Sequence, residues 1–370
     1  MAEWSSIVVP ELAELDQFAL GMTIGEVKAR YGLDEVVKLS WNENLFGPLP
    51  GLLEAVHAEL ENVWLYPEQP YIDFRNEVAA SIGASPTNVV PAHGSLALLG
   101  HVASLLLRPG AHVVAPELTY GLYAQISATR GATVHRVPMQ GLAIDLGALA
   151  ETAQRVDARI VWICDPNNPT GALLVQAEWN AFLEALPDRC VAVVDEAYAD
   201  FISPDGRVRR EDDVLGGRRV IVLRSFSKLF GLAGLRLGYA VVDEDLVPYF
   251  DLIEEPYNVN CAALAAGCAC LRAPEAVVER REEVATARAA LSDGLRAAEL
   301  EPLPSVTNFV LARLDVDDAV LADRLAERGL LIRPGSDYGL PGYARITVGP
   351  IPLMERVCVE LAEVCASLRG

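Results

Sequence analysis

The sequence predicts an α/β fold, with a large domain built on a mostly parallel seven-stranded sheet between helices and a smaller α+β domain beside it. Three observations predict this. From about Val89 to Val242, short apolar, β-branched runs alternate with helix-period patterns, as expected of strands covered on both faces. Runs such as Ile160-Val161-Trp162-Ile163-Cys164 have no polar alternation, so they read as buried strands rather than half-exposed ones. The chain has 370 residues, 52% of them hydrophobic and 22% charged, which suits a large domain plus a smaller one.

Residues 1–60 are expected to form an N-terminal arm and part of the small domain, 61–270 the large domain and 271–370 the remainder of the small one. Strands are predicted at Val89-Val90-Pro91-Ala92 and near 112–115, 133–137, 160–164, 191–194, 220–223 and 238–242. After the first of these, Leu98, Leu99, Val102, Leu105 and Leu106 recur at helix spacing until Pro109-Gly110 stops them. Ala273 to Leu300 reads as a long charged helix. Strands at Asn308 to Leu311, Ile332-Arg333 and Arg345 to Val348 and a closing helix at Val357 to Val364 complete the small unit.

The predicted strand ends carry the chemistry. Ser225-Phe226-Ser227-Lys228, followed by Gly234-Leu235-Arg236, places one lysine among hydroxyls, glycines and a guanidinium. A lysine can take an aldehyde as a Schiff base, while Ser225, Ser227 and Arg236 can satisfy a phosphate. Asp195, at the end of Val191-Ala192-Val193-Val194, sits where open α/β sheets bind ligands. It can hold a pyridine nitrogen protonated, or simply cap the following turn. Tyr198 can reach the phenolate oxygen of the same ring, or pack as a core tyrosine. Asn168, in the turn Asp165-Pro166-Asn167-Asn168-Pro169, can donate to that oxygen or serve the turn alone. Gly94 and Ser95 stand before a helix whose N-terminus is a ready anion site, and Tyr120 follows the next strand, where an aromatic ring could stack.

On these residues the chain resembles the fold-type I pyridoxal-phosphate enzymes, and among them it is most similar to the histidinol-phosphate and aromatic aminotransferases. The likeness begins at Leu39-Ser40-Trp41-Asn42-Glu43-Asn44-Leu45-Phe46-Gly47-Pro48 and Tyr66-Pro67, and continues through Asp165 to Gly171, Asp195 to Tyr198 and Ser225 to Arg236. It ends in Ala344-Arg345-Ile346-Thr347-Val348-Gly349. The resemblance implies a fold-type I transferase using pyridoxal 5'-phosphate, with Lys228 as the Schiff-base lysine, Asp195 on the pyridine nitrogen, and Asn168 and Tyr198 flanking the phenolate. It implies that Tyr120 stacks on the ring and that Gly94, Ser95, Leu96, Ser225, Ser227 and Arg236 hold the phosphate. Tyr66 would reach the cofactor of a second subunit, so a homodimer with shared sites is implied. Arg345, with Arg333 as second choice, would bind the substrate's carboxylate or the group in its place, near Phe18, Trp41 and Asn42. The implied reaction moves an amino group from a small-molecule donor to a 2-oxo acid. The alternative is a lyase acting on a phosphorylated amino acid, as in related threonine-phosphate decarboxylases.

Four positions depart from that pattern. Phe18-Ala19-Leu20-Gly21 lacks the usual tyrosine and proline; Trp41 and Leu45 flank the Asn-Glu-Asn segment; Leu96-Ala97 replaces acidic residues; and Glu254-Glu255 replaces a basic one. The added apolar surface and negative charge lead to the expectation that a bulky apolar or aromatic amino acid is preferred over histidinol phosphate.

A net charge of −21 argues against nucleic acid and anionic membrane surfaces as partners. No apolar run approaches a membrane span and Met1-Ala2-Glu3-Trp4 lacks a basic signal start, so a cytoplasmic location is expected. Seven cysteines in mostly apolar surroundings read as buried free thiols, and five scattered histidines give no metal-ligand spacing, so no metal is expected.

Overall fold

The computed structural model describes residue 4, residues 7–12, residue 15 and residues 21–370, so Phe18 lies outside the described residues. Thirteen strands are found among them. β1 (Val37–Lys38) pairs with a later strand; β2 (Val89–Ala92), β3 (His112–Pro116), β4 (Thr133–Val137), β5 (Ile160–Cys164), β6 (Val191–Asp195), β7 (Val220–Ser225) and β8 (Gly238–Val241) form one sheet in the order β2-β8-β7-β6-β5-β3-β4. β3, β4, β5, β6 and β7 run parallel, and β8 is antiparallel to both β2 and β7. Pro91 is accommodated because β2 is an edge strand with one ladder to satisfy.

Alternation along the strands fixes which face each side chain serves. Ile160, Trp162, Val193, Ile221 and Leu223 pack in one core with Leu98, Leu99 and Val102 of the helix Ser95–Leu106. Val161, Ile163, Ala192, Val194 and Val222 pack in the other core with Phe74, Trp179 and Phe182. Burying each such aliphatic side chain contributes about 1.5–3 kcal/mol, so covering both faces is what stabilises a parallel sheet.

The smaller unit is antiparallel. β9 (Glu301–Pro302), β10 (Phe309–Arg313), β12 (Arg333–Pro334) and β13 (Tyr343–Thr347) are ordered β12-β13-β10-β9, while β11 (Leu330–Leu331) pairs in parallel with β1. The helices Pro274–Ala297, Asp318–Glu327 and Ile351–Arg369 cover this sheet around a core that includes Leu39, Phe309, Leu321, Ile346 and Leu361. Prolines at the first turns of two of these helices, Pro274 and Pro352, occupy positions whose N–H needs no intrahelical partner. Leu49 and Leu52, which the sequence placed with the small unit, pack instead in the core of the large sheet, whereas Leu39, Leu45 and Phe46 stay with the small one. Among the described residues no single helix is long and apolar enough to cross a membrane.

Candidate active site

Strand parity brings the chemistry together. Asp195 continues the face of Val193, and Ser225 continues the face of Ile221 and Leu223, so both follow the face that carries Trp162 and Tyr123. Asn168, Tyr198 and Lys228 follow the C-terminal ends of β5, β6 and β7, and Tyr120 follows β3, all on the edge where parallel strands present ligands. Gly94 and Ser95 follow β2, which runs the same way.

Asp195 is buried and doubly bound. The Tyr123 hydroxyl donates to its Oδ2 at 2.8 Å and the Ala197 amide donates to Oδ1 at 3.1 Å. Burial raises its pKa above the ordinary carboxylate value, with the two hydrogen bonds and then Lys228 opposing that rise. A cation directly opposite this carboxylate would therefore be strongly welcomed. Tyr123 is held by stacking on Trp162, ring centroids 5.5 Å apart and 6° from parallel, and Tyr120 meets Tyr123 edge-on at 5.5 Å.

Lys228 is partly buried, and its Nζ donates to the carbonyls of Trp41 at 3.1 Å and Asn42 at 3.2 Å. Burial first, and then the Arg345 charge, lower its pKa to about 8. The free amine is thus far more accessible near neutral pH than in an ordinary lysine, which is what a nucleophile or base of this kind requires. Lys28, Lys38 and Lys228 are the only lysines in the chain.

The start of the helix Ser95–Leu106 is bare. Gly94 stands at its N-cap with φ 96° and makes no side-chain cap, so the first-turn N–H groups of Ser95 and Leu96 have no partner within the helix. A Cβ at Gly94 would lie 2.6 Å from Arg236 Nη2, and one at Gly238 would lie 2.6 Å from the Ser95 nitrogen. Arg236 Nη1 donates to Ser227 Oγ at 3.5 Å, and the Ser227 amide donates to Ser225 Oγ at 3.1 Å. Backbone donors, two hydroxyls and a guanidinium thus converge on a hollow that only glycine leaves open.

The opposite end is built on Tyr198 and Arg345. The Tyr198 oxygen accepts from Asn42 Nδ2 at 3.0 Å and from Asn168 Nδ2 at 3.5 Å. Arg345 Nη1 donates to Asn168 Oδ1 at 2.6 Å and Nη2 donates to the Ser40 carbonyl, while Nε has no partner among the described residues. Asn42 takes the left-handed conformation, φ 57°, and its amide nitrogen donates to Thr347 Oγ1 at 3.1 Å. Arg333 lies across the β12–β13 ladder from Arg345, with Nε paired to Asp337 at 2.7 Å. Tyr66 stands apart: it is exposed and stacks on Tyr257 at 4.5 Å.

Residues 34–361 match the family model for aminotransferase class I and II. The chain belongs to that family. It is 35% identical to "Histidinol-phosphate aminotransferase 1" of Thiobacillus denitrificans, over 98% of this chain and 94% of that protein. It is equally 35% identical to "Histidinol-phosphate aminotransferase" of an Anaeromyxobacter species, over 97% and 99% of the two chains. The crystal structure of histidinol-phosphate aminotransferase from Sinorhizobium meliloti in complex with pyridoxal-5'-phosphate superimposes with a TM-score of 0.90 at 28% identity, covering 98% of both chains. This chain is therefore a pyridoxal-phosphate-dependent aminotransferase of fold type I, and the lyase alternative is not favoured.

The residues present in this aminotransferase fit that cofactor. The bare helix start, Arg236 and the two serines suit a phosphate dianion, the partly buried low-pKa lysine suits an aldehyde, and the buried Asp195 suits a protonated ring nitrogen. Other residues of the aminotransferase sit differently from expectation. Glu254 has its pKa raised to about 7 by burial, with Asn258 and Arg75 as its favourable neighbours, so its carboxylate belongs to a cluster with those residues. Trp41 carries the Lys38 ammonium 3.7 Å from its ring centroid, and Lys38 pairs with Glu43 at 2.7 Å, so this flank is charged as well as apolar. Tyr123 and Tyr338 escaped sequence reasoning. Tyr123 lies only three residues after Tyr120, and that closeness was the available signal.

Proposed function

We propose that this aminotransferase takes histidinol phosphate as amino donor and a 2-oxo acid as acceptor, acting in the cytoplasm as a homodimer with shared sites. The observation that carries the substrate reading is the pair of buried arginines, Arg333 and Arg345, facing each other across β12 and β13. Two cations held side by side suit a substrate that carries an anionic group, and a phosphate or second carboxylate suits them better than a neutral side chain. The names of the relatives support the same donor. With Glu254 gathered near Arg75 and Lys38 lying over Trp41, the charge argument for an apolar amino acid loses its force.

When bound, pyridoxal phosphate carries the amino group on its aldehyde carbon and its protonated ring spreads the charge left as the α-proton departs. In this reading Lys228 Nζ would hold the aldehyde carbon in the resting enzyme and, once freed, would be the base that takes the α-proton and delivers it to that carbon, not back to the substrate. Asp195, steadied by Tyr123 and the Ala197 amide, keeps the proton on the ring nitrogen. Tyr198 accepts from two amides, so its own O–H remains to donate to the ring's oxygen beside Asn168. Tyr120 would cover the ring, and Gly94, Ser95, Leu96, Ser225, Ser227 and Arg236 would hold the phosphate. Arg345 would hold the substrate's carboxylate, or the group in its place, and so fix the substrate's orientation in the site. Tyr66, exposed beside Tyr257, reaches toward the second subunit.

The test is a comparison of kcat/KM for histidinol phosphate, phenylalanine and leucine with 2-oxoglutarate as acceptor. A clear advantage for histidinol phosphate is expected. A clear advantage for phenylalanine or leucine overturns the substrate reading and leaves the aminotransferase assignment intact.

A further inference from the structure

Tyr338 has no role in the scheme above, yet it touches both arginines. Its ring centroid lies 5.3 Å from the Arg345 guanidinium carbon and 5.8 Å from that of Arg333. Arg345 is covered on another side by Phe309, whose ring centroid is 5.4 Å away. Arg333 and Arg345 are directly opposed across the ladder, an arrangement in which like charges repel. An aromatic ring presented to both cations offsets that repulsion, because its π-face is negative. Asp337, the residue before Tyr338, pairs with Arg333 and so fixes the same short helical turn, Gly335–Tyr338, to the strand.

The hydroxyl adds a second observation. Tyr338 Oη is buried with the Arg333 guanidinium as its hydrogen-bonding neighbour, so its own O–H is left to donate, and neither that O–H nor Nε of Arg345 finds an acceptor among the described residues. A buried donor without an acceptor is costly, and two such donors beside one pair of cations form an incomplete oxyanion site.

We infer that Tyr338 is a positioning and specificity-determining residue: its ring holds Arg333 and Arg345 together, and its hydroxyl donates to the oxyanion that the substrate brings to them. This rests on the anionic-substrate reading proposed above. It extends that reading by making discrimination between a phosphorylated donor and its neutral counterpart depend on a tyrosine that binds neither cofactor nor α-carbon.

The experiment uses the cofactor-loaded enzyme with Tyr338→Phe, which keeps the ring, and Tyr338→Leu, which removes it. Three readouts are taken: KM and kcat for histidinol phosphate, the same for histidinol, and the dissociation constant of succinate, which has neither amino nor oxo group and needs no turnover. Tyr338→Phe is expected to raise the KM for histidinol phosphate and the succinate constant about tenfold, with kcat and the histidinol KM within about twofold. Tyr338→Leu is expected to lower kcat/KM for histidinol phosphate about a hundredfold, with the Phe variant recovering most of kcat. Equal penalties on histidinol and histidinol phosphate, or an unchanged succinate constant in Tyr338→Phe, overturn the inference even if the Leu variant fails to fold. Should the wild type turn over neither donor, the substrate reading falls, and the succinate measurement still decides Tyr338.

Discussion

Asp195 carries two hydrogen bonds and a pKa that burial has raised, so its role turns on what faces it. If it keeps a ring nitrogen protonated, Asp195→Asn retains the fold, because Asn serves the Ala197 amide about as well as Asp. Removal of the substrate's α-proton should then slow by about a thousandfold or more, as the charge loses its sink. Stopped-flow absorbance of the half-reaction checks this, and near-normal rates would leave Asp195 as a local cap. Lys228 gives a pH prediction. Its pKa is lowered to about 8, so the amine becomes free at a lower pH than an ordinary lysine. Reconstitution of cofactor-free protein with pyridoxal phosphate should accelerate as pH rises through about 8 and level off above it. A rate still climbing steeply at pH values around 10 would show that burial does not depress this group. Both residues were legible in the sequence because strand ends and short motifs mark them. Tyr338 was not, since its meaning lies in a cross-strand pairing of two arginines that no local pattern announces.

The elements that place these residues are strand-to-helix junctions, and the sharpest is Gly94. Its φ of 96° is disfavoured for any residue with a Cβ, and that Cβ would meet Arg236 Nη2 at 2.6 Å. Gly94→Ala is therefore expected to weaken pyridoxal phosphate at least about tenfold by displacing the guanidinium, a loss comparable to one charge-assisted hydrogen bond. Gly141→Ala is the control. That glycine also has positive φ, 65°, but nothing among the described residues lies within 4 Å of the added methyl, so stability falls slightly and cofactor affinity stays. Equal cofactor loss in both variants would remove the cradle argument. The strands themselves were readable because runs such as Ile160 to Cys164 are buried on both faces. Their ends were less so: the closing helix spans Ile351–Arg369, well beyond the apolar core Val357 to Val364, because its first turn begins at a Pro-Ile-Pro segment that composition alone reads as loop.

At the scale of the molecule, the core on the Trp162 face of the large sheet, against which Tyr120 packs, and the core around Leu39, Phe309 and Ile346, which includes Tyr198, meet at the site. The strands of the large sheet were legible from the alternation of runs, whereas the side taken by Leu49 and Leu52 was not, because an apolar residue in the connecting segment can serve either core. Val63, Trp64, Leu65 and Tyr66 form a consecutive exposed stretch, and exposed apolar surface of this kind marks an interface. Sedimentation is expected to find a dimer, and Tyr66→Ala to weaken cofactor binding; a monomer with full activity would contradict the shared site. The central claim, that one lysine holds the cofactor, is tested most directly by borohydride reduction of the purified holoenzyme followed by peptide mass spectrometry. With Lys28, Lys38 and Lys228 as the only lysines, the pyridoxyl adduct is expected on the peptide containing Lys228 alone. An adduct on Lys28 or Lys38, with Lys228 unmodified, would contradict the account.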